Sequence, residues 1–174
     1  MAKVCTTARS VCYHEPIKSM TNWREVYDLW EEPGYVGVAD SAMGFHLREI
    51  LDRAAPRTLL IVRDIHEVEH SLRMQGLPSV PRYCQVLQER IEALRSHPLV
   101  LLAKFEELND ADAVAICMRH LMPDLRVDMT RVDQLMDVNI QADVEEIRAE
   151  LAQRPPDLEN LLGADVMREI LGNV

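Results

Sequence analysis

The sequence predicts an α/β domain in which a three-layer arrangement places a parallel sheet between helices. Three short apolar runs, at residues 35–39, 58–62 and 99–105, have the composition of strands. None of them alternates apolar with polar residues, which is typical of parallel strands covered on both faces. Amphipathic helical patterns separate the runs, as in βαβ units. At 174 residues the chain has the length of one domain.

Three helical patterns occupy the first half of the chain. Asn22 followed by Glu25 predicts a capped helix start, after which three aromatic residues share one face and are expected in the core: Trp23, Tyr27 and Trp30. The second pattern is a clean stripe of Leu47, Ile50, Leu51 and Ala54. The third follows the run at 58–62 and is expected to stop at Gly76; its stripe is Ile65, Val68 and Leu72.

The second half continues the same alternation and then becomes helical throughout. One stripe precedes His97: Tyr83, Val86, Leu87, Ile91 and Leu94. Asn109 or Asp110 can cap a helix that runs to Leu121. Further helices are predicted at 131–153, which Pro155 and Pro156 end, and at 158–171. We therefore expect an α/β domain over residues 1–125 and a helical extension over 126–174 that packs on the same domain.

Charge and apolar content narrow the classes of function. The net charge of −10 argues against a broad nucleic-acid surface, which needs a basic footprint. The longest apolar runs are far too short to span a membrane. The first ten residues hold no apolar stretch of the secretory kind, so a cytoplasmic protein is expected.

The four cysteines are Cys5, Cys12, Cys84 and Cys117. They lack CxxC spacing and are expected to be reduced core residues in a cytosolic protein. A zinc site made of Cys5, Cys12 and His14 would match no usual ligand spacing, and we expect none there.

The most informative passage follows the apolar run at 58–62. That strand ends at Arg63, and a helix begins directly after it with Ser71 in its second turn. The guanidinium of arginine is a planar fork of donors that suits phosphate, and ligands of α/β proteins bind at the carboxyl ends of strands. The pattern therefore indicates an anion site on Arg63 and Ser71. The alternative is that Arg63 is a solvated residue at a strand end.

This passage resembles the sulfotransferase motif that binds the 3′-phosphate of 3′-phosphoadenosine 5′-phosphosulfate. In that motif a strand leads to Arg-Asp-Pro and then to Ser; here Ile65 stands in place of the usual proline. Three further passages are similar to sulfotransferase segments in the same order, namely residues 14–16, 36–41 and 105–121. The similarity extends from about Ala2 to Leu121.

The resemblance implies a P-loop-type fold and transfer of a sulfuryl group from that nucleotide donor to a hydroxyl acceptor. Arg63 and Ser71 would bind the donor, and Glu15 would be the base, with His14 as a second catalytic candidate. Glu15 is equally well explained as a cap or as an ion-pair partner of Lys18. No metal is implied, and the resemblance is compatible with a homo-oligomer.

One departure from the sulfotransferase pattern affects both fold and function. Sulfotransferases open with a strand and a glycine-containing loop whose amides hold the 5′-phosphosulfate, whereas the first glycine here is Gly34. The chain is therefore expected to be truncated or degenerate. Because the missing strand lies in the middle of the family's sheet, we expect a gap, a substitute strand or an edge closed by a partner chain. The competing class is a non-enzymatic nucleotide-binding remnant or an interaction module.

A second motif suggests a different enzyme. Residues 66–70 match H-E-x-x-H, in which His66 and His70 would bind zinc and Glu67 would be the general base of a peptidase. The apolar residues of the same helix face the core, which leaves both histidines on a polar face. We expect them to be exposed and without a third ligand, although three residues could be proposed for that role: Glu89, Glu92 and His97.

Overall fold

The computed structural model describes residues 5–74, 79–136 and 158–171. Its strands are β1 (Ser10–His14), β2 (Tyr35–Ala39), β3 (Thr58–Val62) and β4 (Val100–Lys104). Its α-helices are α1 (Val26–Leu29), α2 (Leu47–Ala54), α3 (Ile65–Met74), α4 (Val80–Glu92), α5 (Ala111–Leu121), α6 (Met129–Met136) and α7 (Leu158–Leu171). Four short 3₁₀ helices connect them, at Pro16–Ser19, Trp23–Glu25, Ala42–Phe45 and Phe105–Asn109.

The strands form two separate parallel sheets of two strands each. In the first sheet β1 pairs with β2, and Ser10 lies opposite Tyr35. In the second sheet β3 pairs with β4, and Thr58 lies opposite Val100. The α/β class with short parallel strands is thus confirmed. In the described residues β2 and β3 are not hydrogen-bonded to each other, so the strands expected in one sheet are divided between two, and a gap was one of the three outcomes expected for that sheet.

The strand β1 is absent from the sequence prediction. The segment Ser10–His14 has polar residues at both ends, so no continuous apolar run marks it as a strand. Its partner is 25 residues further on, and such a non-local pairing leaves no local signal. The backbone N–H of Glu15 extends the pairing by donating to the carbonyl of Ala39 at 2.8 Å.

All four strands begin at the same end of the molecule. The Nε2 atom of His120, near the end of α5, lies 3.1 Å from the carbonyl oxygens of Thr58 and of Leu99. The hydroxyl of Tyr35, the first residue of β2, donates to Asp124 just beyond α5 at 2.7 Å. Because β1 runs parallel to β2, and β4 to β3, the carboxyl ends of all four strands point toward the opposite edge.

The helix α2 connects the two sheets through its predicted apolar stripe. Ile50 is buried in a cluster that includes Val38 of β2, whereas Leu47 and Leu51 pack with Leu60 of β3. Burial of each such side chain is worth roughly 1.5–3 kcal/mol. The stripe was predicted correctly except at its last position, since Ala54 is exposed.

The predicted cap at Asn22 is confirmed. Its side-chain oxygen accepts from the backbone N–H of Arg24 at 2.9 Å, and Glu25 accepts from the N–H of Asn22 at 3.1 Å. The cap opens a 3₁₀ turn that continues into the four residues of α1. Trp23 is buried and stacks on the ring of His46, with centroids 4.0 Å apart, so these aromatic residues belong to the core as expected.

The described helices of the C-terminal part pack on the α/β layers. Val132 of α6 joins a cluster with Met118 of α5. The helix α7 packs its buried residues on Phe45 and Val86; they are Leu162, Val166 and Ile170. Most of the helix predicted at 131–153, and the stop predicted at Gly76, lie outside the described residues. Within the described ranges, no helix has the length and apolar character needed to cross a bilayer.

Candidate functional site

Several side chains that include predicted site residues follow the carboxyl ends of the strands. Glu15 comes directly after β1, Asp40 after β2, Arg63 after β3 and Phe105 after β4. The carboxyl edge is where open α/β sheets bind ligands. The structure therefore brings three of the predicted site residues, His14, Glu15 and Arg63, to one edge of the molecule.

Arg63 is held between an acidic and an aromatic side chain. Its Nε donates to Oε2 of Glu67 at 2.6 Å, and its Cζ lies 4.9 Å from the centroid of the Phe105 ring. The Arg63 side chain is 44% exposed. An ion pair this exposed contributes little, about 0–1 kcal/mol, so the guanidinium can exchange its partner for another anion.

The helix α3 places Ser71 on the same side as Glu67. Asp64 caps this helix, since its Oδ1 accepts from the backbone N–H of His66 at 2.9 Å. Residues four apart are neighbours on a helix surface, so Ser71 lies one turn beyond Glu67. Glu67, which accepts from Nε of Arg63, therefore competes with an anion that would bridge Arg63 and Ser71.

Glu15 and His14 form the other half of the edge. The Nδ1 atom of His14 lies 4.0 Å from a carboxylate oxygen of Glu15, and the two side chains are 72% and 32% exposed. Glu15 has φ 48° and ψ 47°, a left-handed conformation that is uncommon in residues other than glycine. Ala55 and Ser79 also have a positive φ, so this conformation fixes how the chain leaves β1 and does not by itself indicate a role for the carboxylate.

An apolar cavity of about 710 Å³ separates the two sheets. Its wall contains all five residues of β2 and the first four residues of β3. Residues of β1, α2 and the segment after α5 complete it. Charged side chains in the lining are few; they are Asp40, Arg57 and Asp124.

The alternative metal sites gain no support from the described part of the chain. No group of three or more His, Cys, Asp or Glu side chains is arranged to hold a metal ion in these ranges. His66 and His70 are both exposed, as their helix pattern predicts. Cys5 is buried and donates its thiol hydrogen to the sulfur of Met118 at 3.5 Å, so it serves the core.

Two residues of the site were not identified as ligand-binding residues from the sequence. Glu67 was considered only within the H-E-x-x-H motif, although its spacing of four from Arg63 already indicates an ion pair. Phe105 was noted only as part of a matching segment. Its contact with Arg63 depends on the pairing of β4 with β3, which no local pattern shows.

No protein-family model matches this chain, and neither a curated protein nor a solved structure is significantly similar to it. The fold and the site together define an α/β protein with an arginine at the carboxyl end of a parallel strand. The function of this edge is therefore argued from its own geometry.

Proposed function

We propose that this chain is a sulfotransferase-like protein of the P-loop class that binds a nucleotide 3′-phosphate at Arg63. The observation that carries the proposal is the position of Arg63, exposed at the carboxyl end of β3 and seated on the ring of Phe105. A guanidinium in this position offers donors to a phosphate without first leaving a buried site.

Binding exchanges one anion for another at Arg63. A phosphate monoester carries up to two negative charges and three acceptor oxygens, whereas Glu67 offers a single carboxylate. The ring of Phe105 stays beneath the guanidinium during the exchange and keeps the cation in place, a contact worth about 0.5–1 kcal/mol when exposed. The hydroxyl of Ser71, one turn beyond Glu67, supplies a further donor to the same phosphate.

The catalytic step of the proposal uses the pair at the end of β1. The acceptor hydroxyl oxygen attacks the sulfur of 3′-phosphoadenosine 5′-phosphosulfate, and a new O–S bond forms as the bond from sulfur to the bridging oxygen breaks. The hydroxyl proton moves to the carboxylate of Glu15, and the bisphosphate nucleotide leaves. His14, whose Nδ1 lies 4.0 Å from that carboxylate, is the second catalytic candidate.

The sequence has no glycine-rich loop for the 5′-phosphosulfate. Each hydrogen bond to a charged group contributes about 1.5–3 kcal/mol, so donor binding is expected to be weak and to depend mainly on the 3′-phosphate. Sulfuryl transfer depends on positioning and is expected to be slow for the same reason.

Calorimetric titration with 3′-phosphoadenosine 5′-phosphate and with adenosine 5′-phosphate tests the binding step. We expect the first nucleotide to bind and the second to bind much more weakly. Arg63→Ala should abolish the difference. Arg57→Ala is the matched control, because Arg57 precedes the same strand at its opposite end and donates to the carbonyl of His120. Equal binding of the two nucleotides, or an unchanged Arg63→Ala variant, would refute the proposal.

Glu15→Gln separates an enzyme from a non-enzymatic binding protein. The variant should keep the nucleotide affinity of the parent, because Glu15 lies at the end of β1 and Arg63 at the end of β3. Transfer to a phenolic acceptor, followed by chromatography of the sulfated product, should fall at least a hundredfold. If the parent protein binds the nucleotide but forms no product, the catalytic part of the proposal fails and the binding part stands.

A further inference from the structure

In the described part of the chain each of the four strands has one edge without a partner in its sheet, and the edges of β2 and β3 lie at the cavity. The strand β2 pairs only with β1, and β3 pairs only with β4. The cavity of about 710 Å³ lies between β2 and β3. Unpaired strand edges present rows of backbone N–H and C=O groups, which are templates for pairing with another strand.

The lining shows that the cavity meets the edges of these strands. Successive side chains of a strand point to opposite faces of the sheet. A cavity above or below a sheet would therefore be lined by every second residue. Here residues 35–39 of β2 and 58–61 of β3 line it without interruption, residues 10–12 of β1 reach it as well, and no residue of β4 does. Because residues of both faces of β2 and β3 line the cavity, the open edges of these two strands border one shared gap, which also extends to β1.

We propose that this gap is a binding site for an extended apolar segment of a partner polypeptide, which enters as a strand parallel to β2 and β3. A segment in this position would join the two half-sheets into one. A strand is the only common ligand that repeats a backbone donor and acceptor along both edges, at about 3.3 Å per residue. This mode of recognition takes its affinity from main-chain hydrogen bonds and its specificity from side chains.

The described structure sets the length, direction and chemistry of the segment. Both neighbouring strands are five residues long, and both begin at the α5 end of the molecule, as His120 and Tyr35 show. The wall is mainly apolar and includes Ile50 and Leu60. We therefore expect about five uncharged β-branched or aliphatic residues.

The negative charge at the carboxyl end of the gap indicates which residue should follow the apolar part of the segment. Asp40 lies directly after β2, at the carboxyl end of the gap. A lysine or arginine that follows the apolar residues of a parallel segment would face Asp40. A second copy of this chain is a poorer occupant, since its apolar runs at 35–39, 58–62 and 100–104 are already paired strands.

The direct test uses a synthetic peptide of five alternating valine and isoleucine residues followed by two lysines. Binding to the full chain is measured by fluorescence anisotropy, and amide hydrogen exchange is followed by mass spectrometry. We expect saturable binding and at least tenfold slower exchange in segments 35–39 and 58–62. The opposite edges, in β1 and β4, should change much less. Saturable binding without this protection would overturn the proposal.

Two matched controls distinguish strand pairing from simple apolar binding. The same peptide N-methylated at alternate residues keeps its apolar surface but loses its donors, and its Kd should rise at least tenfold. Asp40→Asn should raise the Kd of the lysine peptide roughly two- to fivefold and leave unchanged that of a peptide ending in glutamines. Equal affinity of the methylated peptide would overturn the proposal. Slow amide exchange of both edges in the free protein would also overturn the proposal, whether or not the ultracentrifuge shows self-association.

Discussion

Arg63 makes two side-chain contacts that both bear on its proposed binding role. It contacts Glu67 of α3 on one side and Phe105 after β4 on the other. Both contacts are exposed, so neither contributes much to the free energy of unfolding. Their main effect is to hold the guanidinium at the carboxyl edge. Glu67 also competes with any anionic ligand for the same donors.

Glu67→Gln should therefore strengthen binding of 3′-phosphoadenosine 5′-phosphate. The neutral amide no longer occupies Arg63 as a counterion, and it no longer repels the phosphate. We expect the Kd measured by calorimetry to fall about three- to tenfold at low salt. Glu69→Gln is the control, because it removes the same charge from the same helix but from the partner of Arg73. If both variants tighten binding equally, Glu67 acts only through net charge.

The burial of Tyr83 predicts how the free energy of unfolding changes at alkaline pH. Burial, followed by the nearby Cys84 and Asp40, raises the pKa of Tyr83 from 10.0 to about 12. The unfolded chain then loses the phenolic proton at a lower pH than the folded protein. The stability from the neutral, buried phenol is complete below pH 10 and is lost as the pH rises through about 12.

Tyr83→Phe should remove this dependence while keeping the edge-to-face contact with Phe45, whose centroid lies 4.8 Å away. Urea unfolding at pH 9 and pH 11.5 measures the effect. Between these values the parent should lose roughly 2 kcal/mol more of its unfolding free energy than the variant. Parallel losses in the two proteins would show that Tyr83 titrates normally in the folded state.

At the scale of secondary-structure elements, the sequence correctly predicted those strands, caps and helices that local interactions determine. The strands β2 and β3 match the predicted runs 35–39 and 58–62 to the residue, because continuous apolar stretches define them. The cap at Asp110 and the helix that ends at Leu121 were also correct. The helix Leu158–Leu171 was predicted with the same bounds.

Features that depend on tertiary pairing were not predicted. The strand β1 forms because β2 lies beside it, and its own composition is too polar to indicate a strand. The contact of Arg63 with Phe105 requires β3 and β4 to be neighbours. The left-handed conformation of Glu15 has no signature in a glutamate side chain. The sequence thus identified Arg63, Glu15 and His14 as candidate site residues, but it did not predict the contacts of Arg63 with Glu67 and Phe105.

The bend in α7 depends on the backbone conformation of Gly163. This glycine lies inside α7 with φ 77° and ψ 152°, which bends the helix against Trp23 and His46. A Cβ atom there would meet its nearest neighbours at 4.0 Å, so an alanine has room but the wrong backbone. Gly163→Ala should therefore lower the unfolding free energy by about 1–3 kcal/mol through strain alone.

Chemical denaturation of two variants measures this strain. Gly37→Ala is the matched control, since Gly37 lacks a positive φ and its added Cβ would lie 3.5 Å from the sulfur of Cys12, an ordinary contact. We expect its unfolding free energy to stay within roughly 0.5 kcal/mol of the parent value. If Gly163→Ala costs no more than this control, the bend in α7 is not imposed by the fold.

At the scale of the whole molecule, helices connect the two sheets because they contact both of them. The helix α2 packs on β2 through Ile50 and on β3 through Leu47 and Leu51. On the α5 side, His120 contacts the second sheet, and Asp124 beyond the helix end binds Tyr35 of the first. Elements that share packed helices unfold together in small domains. The gap between the sheets therefore need not divide the protein into two cooperative units.

Leu60→Ala tests this cooperativity. Leu60 belongs to the second sheet and packs with Leu47 and Leu51, so its truncation should cost roughly 2–3 kcal/mol. Trp23 and Trp30 lie in the cluster that covers the first sheet, and their fluorescence reports on that side. If the sheets unfold as one unit, Leu60→Ala lowers the urea midpoint seen by tryptophan fluorescence as much as that seen by far-ultraviolet circular dichroism.

The neighbouring Ile61 provides the control for this test. Its side chain is 41% exposed, so Ile61→Ala should move both midpoints only slightly, by less than about 1 kcal/mol. A Leu60→Ala protein in which the tryptophan transition stays at the parent midpoint while the dichroism transition splits would show two independent units. In that case the bridging contacts of α2 and α5 are too weak to couple the sheets, and an incoming strand would be needed to join them.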